Sequence, residues 1–195
     1  MKTQTIHLNN MICDCCIKVV KMELKALQVS VNKIKLGEVE ISYDSSKISF
    51  DDIIETLNQN GFSLIVNKDC ILVEDIKRAI INMVHHTTYN AMVRNSDYLV
   101  GKFGKTYPYL STLFSRYEGI TLEKYIIMQK AEKVKSLLQE DEITLSEIAF
   151  VMGYSSVQYL STQFKNTTGI SVSEFKKNPA LYRKSIDKVN RTSAS

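Results

Sequence analysis

Met11, Cys13, Cys15 and Cys16 fall within six residues, and the spacing Met11-x-Cys13-x-x-Cys16 is where chemistry is first expected in this chain. Two thiols three residues apart at the start of a helix lie close together. The helix dipole there favours the thiolate, and a thiolate pair can share one soft ion such as Cu(I) or Zn(II). Cys15 would add a third thiol and raise the coordination number. Nothing else in the sequence requires a cofactor. Cys70 lies far from the other three, which makes a poor disulfide framework and suits a reducing compartment. A second reading stands beside the metal site: the cysteines are plain packing residues, with Cys16 on the buried stripe of its helix. His85 and His86 are adjacent, distant from the cysteines in sequence, and expected at the surface rather than as ligands.

The elements that must position these thiols follow from the change of hydrophobic period. Ile6 and Leu8 alternate as a strand, and Cys16, Ile17, Val20, Leu24 and Leu27 form a helical stripe. Val29, Val31, Ile34 and Leu36, then Val39, Ile41 and Tyr43, give two strands around Gly37. Ser49 caps a second helix with Ile53, Ile54 and Leu57 inward, Gly61 stops it, and Phe62, Leu64 and Val66 alternate as a last strand. The order is βαββαβ, a ferredoxin-like plait. With the Met-x-Cys-x-x-Cys loop after its first strand, this stretch of about sixty residues resembles the heavy-metal-associated domain of copper chaperones and P-type ATPases. The resemblance implies that Cys13 and Cys16 are ligands and that Met11 packs into the core. Asn10 stands where that family carries glycine.

A second source of chemistry is a repeat. At an offset of fifty residues, Tyr109-Leu110-Ser111-Thr112-x-Phe114 aligns with Tyr159-Leu160-Ser161-Thr162-x-Phe164, and Gly119-Ile120 with Gly169-Ile170. Each copy reads as a short helix, a glycine-containing turn, a second helix and a glycine stop, the parts of a helix-turn-helix. In the second copy Thr144 and Glu147 form a capping box, Leu145, Ile148, Ala149 and Met152 face inward, and Tyr159, Leu160 and Phe164 have inward spacing. In the first, Thr106 caps, Pro108 sits near the first helical position, and Leu110, Leu113 and Phe114 face the core. A connecting helix of roughly 27 Å from Thr121 to Leu138 can hold the two units about one duplex turn apart, near 34 Å. A plain helical bundle would show similar apolar spacing, but it would not require the turn and stop at matching places.

Residues 96–177 resemble the AraC/XylS-type DNA-binding domain, most closely in Ile148-Ala149-x-x-Met152-Gly153-Tyr154-Ser155-Ser156 followed by Tyr159-Leu160-x-x-x-Phe164-Lys165 and Gly169. That resemblance implies sequence-specific promoter binding, contact with RNA polymerase, and a separate domain for sensing or association. It places base-reading side chains on the exposed face of each second helix: Pro108, Ser111 and Thr112 in the first, Gln158 and Thr162 in the second. Gln bonds adenine edges, and Ser or Thr contacts thymine methyls. No arginine stands among them, so DNA shape is expected to contribute to recognition. Lys102, Lys105, Arg116, Lys165, Lys176 and Lys177 are candidates for phosphate contacts.

Charge distribution agrees with this division: residues 1–73 carry a formal charge of −1 and the remainder +5. The expected organisation is an α+β plait at 1–70, a coupling helix at 71–95, an all-α domain with two tandem helix-turn-helix units joined by a connecting helix at 96–180, and a disordered tail at 181–195. The continuous apolar stripe from Ile71 to Val84 suggests mechanical coupling between the halves. No phosphate loop, zinc-protease helix motif or nucleophile with a base partner is present, so an enzyme is not expected. No apolar run reaches the roughly twenty residues of a membrane span and no signal block is seen, which points to the cytoplasm. The expected function is an AraC-type transcription regulator that binds double-stranded DNA, forms homo-oligomers in one version, and responds to a thiophilic metal through Cys13 and Cys16. Alternatives are a metal-delivery protein, or a regulator whose plait serves only protein association.

Overall fold

The computed structural model describes residues 1–86 and 94–179. By its internal contacts the chain divides into two compact units, Met1–Asp75 and Ile76–Ser195.

The first unit runs β1 (Lys2–Leu8), α1 (Asp14–Ala26), β2 (Ser30–Lys35), β3 (Glu38–Tyr43), α2 (Phe50–Gln59) and β4 (Leu64–Ile65). Its four strands form an antiparallel sheet in the order β2-β3-β1-β4. Strict alternation puts Ile6, Leu8, Val39, Ile41 and Tyr43 on one face, where Val20, Leu24, Ile53 and Leu57 of the helices complete a core with Met11. The other face is polar: Thr5 pairs with Glu40 and Glu40 with Lys33. In β2 the core residues Val31 and Ile34 are three apart, a spacing that fits no regular strand. The register shift between Val31 and Lys33 explains it, because the extra residue, Asn32, lets both Val31 and Ile34 face inward. Ser49 and Asp52 close a full capping box on α2, the Asp52 N–H donating to Ser49 Oγ at 3.1 Å and the Ser49 N–H to Asp52 Oδ2 at 3.2 Å. The last strand is shorter than its sequence suggests. It ends at Ile65, leaving Val66 84% exposed, because the Asn67 side chain accepts the Asp69 N–H at 2.8 Å and turns the chain into a helix.

That helix, α3 (Lys68–His86), starts three residues before the coupling helix expected at 71–95 and contains the division between the units. The part of the expected coupling helix at 87–93 and the tail at 181–195 lie outside the described residues. The second unit continues with α4 (Asn95–Phe103), α5 (Tyr107–Glu118), α6 (Leu122–Glu140), α7 (Leu145–Val151), α8 (Val157–Thr168) and α9 (Val172–Lys177). Gly119 and Gly169, at φ 70° and 81°, end α5 and α8 in the left-handed conformation that an L side chain resists. The central α6 packs against α5, α7, α8 and α9. Leu122, Tyr125, Ile126, Val134 and Leu138 are buried on α6, as are Leu110, Leu113 and Phe114 on α5 and Leu160 and Phe164 on α8, and Tyr125 packs on Phe114 at 5.2 Å between ring centroids. Phe164 stacks edge-on to Phe175 of α9 at 6.0 Å between ring centroids. No described helix is long and apolar enough to cross a membrane.

Candidate nucleic-acid interface and thiol pair

In the C-terminal unit the helices α4–α5 and α7–α8 are each joined by a short turn, and α6 runs between the pairs. The second pair is the better capped. Thr144 Oγ1 and Glu147 form the capping box of α7, and Ser156 Oγ accepts the Tyr159 N–H at 3.1 Å to open α8. At the start of α5, Thr106 occupies the cap position without a side-chain bond, and Pro108 within the first turn supplies the preset backbone instead.

The residues expected to read bases lie at the surface in the first two turns of α5 and α8. Pro108, Thr112, Gln158 and Thr162 are exposed, and Ser111 is half-buried. Among the expected phosphate contacts, Lys102, Lys105, Arg116, Lys165, Lys176 and Lys177 are all exposed. Two of them have partners within the chain: Lys176 donates to Asp141 at 3.0 Å, and the Lys102 ammonium sits 5.8 Å from the Tyr98 ring centroid. Tyr159, expected inward, is 53% exposed, and its counterpart Tyr109 is 45% exposed. The correction has a simple cause. Leu160 and Phe164 already occupy the inward positions four residues apart, and a residue one position earlier is rotated by about 100° around the helix. Both tyrosines therefore flank the polar positions, which the duplication at matched places could have signalled.

Polar burial on α6 is the feature that apolar patterning did not find. Gln129 is fully buried, and its Oε1 meets His85 Nε2 at 3.0 Å. His85 is thus half-buried rather than a surface histidine, and burial pulls its pKa down to about 4. His86 beside it is exposed.

In the N-terminal unit Cys13 caps α1 by position, and Cys13 Sγ and Cys16 Sγ stand 3.4 Å apart. Cys13 is exposed and Cys16 half-buried, its thiol donating to the Asn10 carbonyl at 3.7 Å. Burial raises the Cys16 pKa, while backbone hydrogen bonds at Ile12 and Cys13 oppose that rise. Asn10 has φ 62°, so it fills the left-handed role of a glycine, which Asn does most readily after glycine itself. Met11 is fully buried and fixes the loop to the core. Cys15 is exposed and does not join the pair: among the described residues no three His, Cys, Asp or Glu side chains come together as an ion site. Two soft sulfur donors suit a soft monovalent ion, whereas a closed zinc site needs four ligands.

With these two arrangements in view, residues 99–178 match the family described as a helix-turn-helix domain. The chain as a whole joins it to an N-terminal unit similar to a copper chaperone. The Msm operon regulatory protein of Streptococcus mutans is 27% identical over 103 residues, 51% of this chain and 37% of that protein. The Xylose operon regulatory protein of Haemophilus influenzae is 28% identical over 106 residues, 51% of this chain and 26% of that protein. The chain thus spans only about a third of the length of these regulators. The copper chaperone CopZ of Bacillus subtilis is 29% identical over 68 residues, which are 33% of this chain and 97% of that protein. Among solved structures, the C-terminal domain of AraT, a response regulator from Geobacillus stearothermophilus, aligns with a TM-score of 0.47 at 23% identity, covering 58% of this chain and 88% of that one.

Proposed function

We propose that this chain is a sequence-specific DNA-binding transcription regulator with two tandem helix-turn-helix units, α4–α5 and α7–α8, spaced by α6. The observation that carries the reading is the duplicated pair α5 and α8. Both present polar side chains within their first two turns, and both bury the opposite face on the same helix. Pro108, Ser111, Thr112, Gln158 and Thr162 then face base edges, and Lys102, Lys105, Arg116, Lys165 and Lys177 face phosphates. Lys176 is the weakest of the phosphate candidates because Asp141 already holds it. RNA polymerase is the expected protein partner, and self-association is compatible with a two-unit chain. The reading is tested by selecting bound duplexes from random sequence and measuring affinity by fluorescence anisotropy. Gln158→Ala is expected to weaken the selected site by about 1–3 kcal/mol and to relax preference at one base pair. Failure of the wild-type chain to prefer any sequence would overturn the proposal.

The likeness to CopZ and the 3.4 Å thiol pair favour a second element of the reading. We read the N-terminal unit as a ferredoxin-like plait whose Cys13 and Cys16 hold Cu(I), with Zn(II) the less suited ion because two thiols leave its tetrahedron incomplete. Bound ion then biases DNA affinity. Competition titration with a Cu(I) chelator tests binding, and Cys13→Ser with Cys16→Ser should abolish it together with any copper dependence of DNA affinity. Binding without that dependence would instead favour metal delivery.

A further inference from the structure

We infer that a cavity between α6 and α8 in the C-terminal unit binds a small organic monocarboxylate with a flat apolar body. The cavity has a volume of about 250 Å³, and its lining includes Ile126, Ile127, Lys130, Tyr154, Tyr159 and Gln163. Lys130 is the unusual member. Its residue is only 9% exposed, yet no carboxylate among the described residues lies within ion-pair distance of it. Its ammonium donates to the Met152 carbonyl at 3.0 Å and lies 5.6 Å from the centroid of the Tyr154 ring. An ammonium has three donors, and here a neutral oxygen and a ring face are the partners that replace water.

A buried cation without a counter-charge is costly, and chains usually pair such groups. Burial accordingly lowers the Lys130 pKa. An anion entering the cavity would supply the missing counter-charge beside Lys130. The remaining walls define the rest of the ligand. Tyr154 and Tyr159 meet edge to face at 6.0 Å, and with Ile126 and Ile127 they offer aromatic and aliphatic surface for a flat body. The volume lies just below the usual range of ligand pockets, which limits the body to a single ring. Glu123 also lines the cavity, but its Oε1 accepts from the Tyr107 hydroxyl at 2.8 Å. That second carboxylate disfavours multiply charged anions and leaves a monoanion as the best match. Gln163 adds an amide that can bond the second carboxylate oxygen.

The site does not depend on the DNA-binding proposal, since all of its residues belong to one packed unit and its test needs no DNA. Saturation-transfer NMR and calorimetry on the full chain would compare benzoate with benzamide, its neutral isostere, and with inorganic phosphate. Benzoate is expected to bind at least tenfold tighter than benzamide and than phosphate. Lys130→Met should remove that preference, while Lys124→Met, on an exposed position of the same helix, should keep it. Equal binding of benzoate and benzamide, tighter binding of phosphate, or no saturation transfer from benzoate would overturn the assignment. Should Lys130→Met fail to fold, the wild-type ratio of benzoate to benzamide decides alone.

Discussion

A thiol half out of water, with its pKa raised by burial, is a slower nucleophile at neutral pH than an exposed thiol in the same loop. Alkylation of the full chain with iodoacetamide should therefore reach Cys13 and Cys15 before Cys16, as read by peptide mass mapping. Cys16 reacting first would contradict the packing of that thiol. His85 makes a prediction of the opposite kind. Its folded pKa of about 4 lies below the ordinary 6.5, so between those values the unfolded chain binds more protons than the folded one. Stability should fall as pH drops from about 6.5 toward 4, by at most about 3 kcal/mol from this group. Urea denaturation across that window, compared with His85→Gln, reads the difference, and parallel curves for the two proteins would refute it. At this scale spacing was a good guide to the meeting of Cys13 and Cys16, because one turn of helix separates them, whereas the burial of Met11 followed from the family resemblance. Spacing was a poor guide to His85, Gln129 and Lys130. Their burial depends on helices distant in sequence, and a polar side chain carries no periodic sign that a neighbour will cover it.

Helices in the C-terminal unit are short, so their caps matter more than their propensities. Ser156→Ala removes the oxygen that accepts the Tyr159 N–H and should cost about 1 kcal/mol of stability, measurable by urea unfolding. Ser156→Gly should lose only a few tenths, since glycine also suits that position. If the two variants are equally destabilised, the cap bond is not what sets the start of α8. Glycine stops and hydroxyl caps are local chemistry, and for that reason α5, α6, α7 and α8 were legible along the sequence. The length of β4 was not. Phe62, Leu64 and Val66 alternate as a strand would, but the Asn67 turn wins over the pattern after Ile65. Tyr159 failed for a related reason: an aromatic next to a buried leucine satisfies an apolar count without sharing its face.

Across the whole chain, charge is arranged so that the excess of base lies in the second unit, at +7 for residues 76–195. If phosphates are the partners of that charge, log affinity for duplex DNA should fall linearly with log salt. Lys102, Lys105, Arg116, Lys165 and Lys177 remain as candidate contacts once Lys176 is assigned to Asp141. Five contacts set a slope of about −4.5, and a slope near zero would remove the electrostatic basis of binding. The sheet of the first unit has its own consequence at this scale. Its border strands are β2, interrupted by the extra residue Asn32 and bearing Lys33 and Lys35, and β4, only two residues long. Neither offers a long, flat ladder of unpaired backbone groups, so one molecule cannot readily template another. Excising Asn32 would keep Val31 and Ile34 on the core side while straightening that border, and the expected penalty is turbidity on concentration rather than loss of the fold.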